Sequence, residues 1–363
     1  MDRGWIFNKQ LDFLVFLFPL IFALISFQLF QNKLIPLESL GYVYFYSVIL
    51  TDRAHTISTI FRSYGNSEDR KKHLKTLFLA PLICFPLCLL IYQYSVSWFW
   101  TAVTYFTSFH VIRQQTGLLK YSLQKEKEPF GLDIFIQYCA WGCPFLWLHT
   151  QPDHSLGWYR RFELISLPRG LAHYIEAFFY LSAMFFFLSE ILRTHSFQLK
   201  WINSLKKVLG YKNTTHQING GKWLIWGSSW LTGYITVFVF ENPRMMMMMT
   251  FPVIHAMPYI ALIFKNEQKR RRNNINTWLS KSFFLKPYSF IFYYIFLILI
   301  AYSWESLWVS FSKVTDQSSL FVEGILASLL ILPTMLHNSI DGVIWKTSKD
   351  PDLVPRLLRE KTT

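Results

Sequence analysis

Ten apolar runs divide this 363-residue chain, and they restrict its fold more than any motif does. They lie roughly at 12–30, 38–62, 76–96, 97–119, 132–149, 170–192, 223–241, 247–264, 287–308 and 320–345. A helix needs roughly 20 residues to cross the hydrocarbon of a bilayer. Most of the runs reach that length; the fifth and eighth are shorter. The composition agrees: 52% of residues are apolar and only 16% charged, against about 25% charged in a soluble domain. Thirty-five Phe, 14 Trp and 19 Tyr exceed what one soluble core can absorb, and a bilayer is the natural place for them. The fold class expected is all-α, a polytopic transmembrane helix bundle of about ten spans.

A net charge of +14 would raise nucleic acid as a partner in a soluble protein. Here the cations fall in short loops between apolar runs, the pattern of topology signals beside anionic lipid. The loops at 62–75, 120–131, 193–222 and 265–286 and the tail are rich in Lys and Arg. Those near 96, at 242–246 and at 309–319 carry none, Arg244 alone and Lys313 alone. The 150–169 loop, with Arg160, Arg161 and Arg169, breaks the alternation. The positive-inside rule puts the heavy loops and both termini in the cytoplasm. The first run has no small-x-small cleavage site after it and reads as a signal anchor. The expected location is the inner (cytoplasmic) membrane of a bacterial cell, with membrane lipid as the partner and no nucleic acid.

Residues 1–346 read as one transmembrane domain and 347–363 as a polar cytoplasmic tail. Within the 193–222 loop, Phe197, Trp201, Ile202, Leu205, Val208 and Leu209 share a helical face, so about 197–211 reads as an amphipathic helix on the inner surface. Met245–Met249 reads as an apolar helix start, since one face cannot present all five. Cys84, Cys88, Cys139 and Cys143 form two pairs spaced four apart inside apolar runs and read as buried, inert thiols.

Ionisable residues within spans are expensive and usually face the interior of the bundle. His55, His110, His255 and His337 fall on the second, fourth, eighth and tenth runs, which share one direction. They precede the cytoplasmic Arg62, Lys120, Lys265 and Lys346 by seven, ten, ten and nine residues. At 1.5 Å per residue, all four lie about 10–15 Å below the inner interface. His173 lies twenty residues before Arg193, near the opposite surface. Second polar groups stand about one turn away: Asp52 before His55, Gln114 after His110 and Asp341 after His337. A carboxylate there can bind a metal or hold the second ring nitrogen of a ligating His. Arg53 and Arg113 can offset surplus carboxylate or face an anionic group. Imidazoles suit iron, copper and zinc, and haem between two histidines needs no linear motif. Without a metal the same groups suit a proton relay or carrier. HExxH, GxSxG, the P-loop and the His boxes of membrane desaturases are absent.

Leu332-Pro333-Thr334-Met335-Leu336-His337-Asn338-Ser339-Ile340-Asp341-Gly342-Val343-Ile344-Trp345-Lys346 resembles the late segment of the Brp/Blh-type carotene dioxygenases. Thr107–Arg113 is similar to their His-Arg segment, and Asp52-Arg53-Ala54-His55 has the residue types of their early His/Asp motif in the opposite order. The family is shorter, and its opening Pro-His-Gly motif is absent here. The resemblance implies non-haem iron and oxidation of a lipid-soluble substrate. The leading expectation is therefore a membrane-embedded, His-ligated metalloenzyme, an oxidoreductase acting on a carotenoid or other lipid. His55, His110, His255 and His337 would be the ligands, with Asp52, Asp341, Arg113 and Gln114 as supporting groups. A transporter or proton-coupled carrier, and a non-catalytic structural membrane protein, are the rivals.

Overall fold

The computed structural model describes residues 4–32, 34, 48–125, 131–152, 163–194, 204, 207–208, 218–239, 243–272, 289–315 and 319–345. Most of the amphipathic stretch at 197–211, the tail at 347–363 and the side chains of Met245–Met249 lie outside the described residues. Among the described residues all regular structure is helical. In chain order the helices are α1 (Lys9–Phe16), α2 (Phe18–Gln31), α3 (Ala54–Gly65), α4 (Ser67–Lys72), α5 (Leu74–Tyr94), α6 (Val96–Lys125), α7 (Gly131–Leu148), α8 (Leu171–Thr194), α9 (Gly220–Tyr234), α10 (Pro243–Arg272), α11 (Ser289–Thr315) and α12 (Leu320–Ile344). A π-helical turn at Val48–Arg53 leads into α3, and another at Ile235–Val239 continues α9.

Where the apolar runs fall on described residues, they are almost entirely helical. Four helical segments among the described residues are long and apolar enough to cross a membrane: α5, α8, Phe290–Leu307 within α11, and α12. A helix suits lipid because it pairs its own backbone polar groups. On α5, Leu74, Phe78, Leu82 and Leu90 are exposed, as expected of side chains whose solvent is lipid. By contrast, α6 spans 30 residues but buries Thr104, Ser108 and His110. Those polar positions face protein.

The chain forms two compact units, Met1–Leu24 with Val111–Thr250, and Ile25–His110 with Phe251–Thr363. In the first, α7 packs against α8 and α9. Its core holds Ile136, Ala183, Phe186 and Trp226, and a second cluster of Cys139, Cys143 and Phe179. Phe186 stacks on Trp226 with centroids 3.7 Å apart, and Phe179 on Trp230 at 4.9 Å. Of the four free cysteines, Cys84 is half-buried and the other three are buried.

In the second unit α3 is the central element, packed against α11, α12 and the π-turn before it. Ile49, Ala54, Ile57, Ile260, Phe264, Tyr293, Leu297 and Ala301 form one core cluster. Leu77, Leu336, Ile340 and Ile344 form another, where α12 packs on α5. Central placement explains why α3 buries Thr56, Ser58, Thr59 and Ser63 as well as its apolar residues. Their hydroxyls donate to carbonyls one turn back, Thr56 to Asp52, Ser58 to His55 and Ser63 to Thr59. No buried hydroxyl on that list is left without an acceptor.

Candidate metal centre

The second unit gathers the four matched histidines. His55 begins α3, His110 lies on α6, His255 on α10 and His337 on α12. One ring nitrogen from each lies within 4.8 Å of the others, and all four side chains are buried. The rings meet edge to face, with centroids 4.5 Å apart for His55–His255, His55–His337 and His110–His337. The His110–His255 pair is at 5.2 Å and the His255–His337 pair at 6.2 Å. The Nε2 atoms of His55 and His337 are 3.0 Å apart. His173, which the depth comparison set aside, is exposed near the start of α8 and belongs to the other unit.

Local sequence places these rings. The π-turn at 48–53 inserts extra backbone immediately before His55, a device that re-aims side chains and recurs at functional sites. It also sets Asp52 and Arg53 at the mouth of α3. Asp52 Oδ1 stands 3.7 Å from His55 Nδ1, with the Asp52 side chain 25% exposed. Arg53 is fixed by a hydrogen bond to Glu305 and by another to Thr334 Oγ1 at 2.8 Å. It stands 4.0 Å from Asp52. The role considered for Arg53, balance of surplus carboxylate, is consistent with these contacts.

On α12, Asp341 follows His337 by one turn, and its Oδ2 is 3.6 Å from His337 Nδ1. Its Oδ1 accepts a 2.5 Å hydrogen bond from the Tyr259 hydroxyl. The Thr59 hydroxyl lies 2.7 Å from His337 Nδ1 and 2.6 Å from the Tyr259 oxygen. The Trp345 indole donates to Tyr259 at 3.1 Å. Asn338 Nδ2 donates to Thr107 Oγ1 at 3.3 Å, tying α12 to α6 beside His110. Of the two remaining candidates, Arg113 is exposed and Gln114 half-buried, and both follow His110 on α6 within the first unit.

Sequence reasoning missed Thr59, Tyr259 and Trp345. The signal was present in two of them. Thr59 follows His55 by four residues and Tyr259 follows His255 by four, the same one-turn spacing that singled out Gln114 and Asp341. Hydroxyls did not register as site residues because a buried Ser, Thr or Tyr can be satisfied within its own helix and so needs no site to explain it.

Below the site, toward the α3–α5 connection, Arg62 lays its guanidinium on the Trp345 ring, 3.7 Å from the centroid. Its Nε is 3.6 Å from Asp69 Oδ2. Asp69 accepts a two-pronged pair from Arg270, at 2.7 and 2.8 Å. Burial favours the neutral acid, but the Arg62 and Arg270 guanidiniums outweigh it and hold the Asp69 carboxyl below its ordinary value. For Arg270, burial is likewise outweighed by Asp69, which raises it further.

Chemically, four buried imidazoles converging through their ring nitrogens can share one transition-metal ion, since metal–nitrogen bonds are about 2.0–2.1 Å for a metal such as zinc. Two ring nitrogens flanking one ion stand at most about twice that bond length apart, so the widest of the separations, 4.8 Å, has to close by several tenths of an ångström when one ion binds all four. Comparison with protein-family models, with curated proteins and with solved structures finds no match for this chain.

Proposed function

We propose that this protein is a membrane-embedded metalloenzyme whose metal is held by His55, His110, His255 and His337. The observation that carries the reading is the convergence of four buried ring nitrogens within 4.8 Å of one another. Neutral imidazole nitrogens are good ligands for a transition-metal ion, and burial keeps them unprotonated. A single cation satisfies all four. Iron is the metal we favour, because the resemblance on α12 and α6 points to non-haem iron; haem between two of the histidines is the alternative.

The reaction class is oxidation of a lipid-soluble molecule such as a carotenoid. When bound, the metal would supply Lewis acidity and redox capacity. The chain's own contribution is positional. Asp52 and Asp341 face the outer nitrogens of His55 and His337, which orients the rings. The aromatic and aliphatic surroundings exclude water. A substrate dissolved in the bilayer reaches such a site sideways, so no large water-soluble domain is needed. In the full topology we infer ten spans with both termini cytoplasmic, in the inner (cytoplasmic) membrane, on the alternation of Lys/Arg-rich and Lys/Arg-poor loops.

The test is metal analysis of detergent-purified protein, wild type beside His55→Ala, His110→Ala, His255→Ala and His337→Ala. About one equivalent per wild-type chain, reduced in each variant, is the expected result for a four-imidazole site. Sub-stoichiometric metal in gently purified wild type overturns it. Metal-free protein showing alternating access would instead identify a carrier. Metal-free protein in which the variants lose only stability would identify a structural role.

A further inference from the structure

Counting hydrogens around Tyr259 fixes more than ring position. A tyrosine hydroxyl has one hydrogen to donate and two lone pairs, and an indole N–H can only donate. Three partners surround the Tyr259 oxygen: Asp341 Oδ1 at 2.5 Å, Thr59 Oγ1 at 2.6 Å and Trp345 Nε1 at 3.1 Å. Two oxygens 2.5 Å apart need a hydrogen between them; with Asp341 as the carboxylate, the Tyr259 hydrogen goes to the Asp341 oxygen. Trp345 takes one Tyr259 lone pair. The contact with Thr59 must then be made by the Thr59 hydrogen. Thr59 has no second hydrogen, and its oxygen lies 2.7 Å from His337 Nδ1. The hydrogen in that contact belongs to the imidazole.

We propose that Thr59 and Tyr259 are positioning residues that lock His337 as its Nδ1–H tautomer, delivering the Nε2 lone pair to the shared site. The inference rests on the metal-site reading, which also sets the direction of the hydrogen chain. One further contact points the same way. Asp341 Oδ2, 3.6 Å from Nδ1, attracts an N–H on that side. His337 Nε2 then accepts across the 3.0 Å contact with His55 Nε2, where His55 supplies the hydrogen in the metal-free protein and a bound cation would replace it. The opposite order would begin with a hydrogen on Asp341 Oδ1 and end with a hydrogen on His337 Nε2, where it would block metal binding.

The experiment combines two readouts on the full chain in detergent. Nitrogen-15 NMR of histidine-labelled apo-protein, with His337 assigned by its disappearance in His337→Ala, reads the tautomer. Cobalt(II) titration, followed by its ligand-field absorption, reads the site in wild type, Thr59→Val, Thr59→Ser and Tyr259→Phe. We expect Nδ1–H in wild type. Losing such an outer partner typically weakens metal binding by about 10–100-fold, so Thr59→Val and Tyr259→Phe should fall in that range. Thr59→Ser, which keeps the hydroxyl, should stay within about two-fold of wild type by the same reasoning. An Nε2–H tautomer in wild type overturns the inference, and so does cobalt binding by Thr59→Val equal to wild type. If wild type takes up no cobalt while His337 carries Nδ1–H, the metal reading falls and the hydrogen-bond lock stands.

Discussion

His55 and His337 bring their Nε2 atoms to 3.0 Å of each other across 282 residues of chain. The approach requires α3 and α12 to pack with their polar turns face to face, and α3 does pack directly on α12. The pair is the geometric centre of the proposed function, and the properties expected of the protein follow from what surrounds it.

Metal should stabilise the fold measurably. A ligand that binds only the folded state at 100 times its Kd adds about 2.7 kcal/mol. We expect the thermal midpoint of the detergent-solubilised protein to rise with iron(II) or cobalt(II) and to fall with chelator. His337→Ala should lose that response and His173→Ala, on an exposed residue outside the cluster, should keep it. Equal responses in the two variants would disprove shared ligation by His337.

Acid should loosen the α3–α5 connection through Asp69. Its carboxyl is held below the ordinary 3.8 by the nearby guanidiniums despite its burial. The sign follows: a depressed folded-state value adds stability that is complete above the unfolded value and is lost as pH falls through the lower folded one. Melts should therefore hold steady on acidification until the ordinary carboxylate range and decline below it. Asp69→Asn should remove that part of the decline and lower the neutral-pH midpoint, because Arg270 loses its two-pronged partner and keeps only the longer contacts with Glu267 at 3.4 Å and Glu68 at 3.9 Å. A neutral-pH midpoint equal to wild type would refute the pairing.

The first unit contains a comparable dependence. Lys222, 1% exposed, bonds to Glu190 and stands 3.7 Å from Asp133 Oδ1. Arg193 donates to Asp133 at 2.5 Å and lies 3.5 Å from Glu190, while the Trp223 indole donates to Glu190 at 2.8 Å. Two acids and two bases balance, so removing one is worse than lacking all four. Lys222→Met should destabilise by about 3–5 kcal/mol, read as a lowered melting midpoint or loss of folded yield. Metal content per folded molecule should not change. Loss of metal from folded Lys222→Met would contradict the assignment of the site to the second unit's histidines.

At Gly233, α9 approaches α7 closely. A Cβ there would meet Pro144 Cγ at 2.7 Å and the Ala140 carbonyl oxygen at 2.8 Å. The obstacles are a ring and a backbone atom, so neither yields easily. Gly233→Val should cost about 1–3 kcal/mol by overpacking, whereas Gly227→Ala, with open space around its position, should be tolerated. Comparable yields and melts for the two variants would show that the helices separate without penalty.

Hydropathy is written into the chain one residue at a time, so the helices were legible. Apolar runs at 76–96, 170–192 and 320–345 reappear as Leu74–Tyr94, Leu171–Thr194 and Leu320–Ile344, because bilayer thickness and helix rise together set span length. The same arithmetic ranks residues by depth, and the four histidines it grouped are those whose ring nitrogens lie within 4.8 Å of one another. Depth, however, says nothing about rotation around a helix axis or about which helices are neighbours. Only the tertiary structure decided that Thr59 and Tyr259 meet His337 and that Arg270 reaches back 201 residues to Asp69. Those relationships depend on side chains packed from distant parts of the chain, and a one-dimensional pattern of polarity does not contain them.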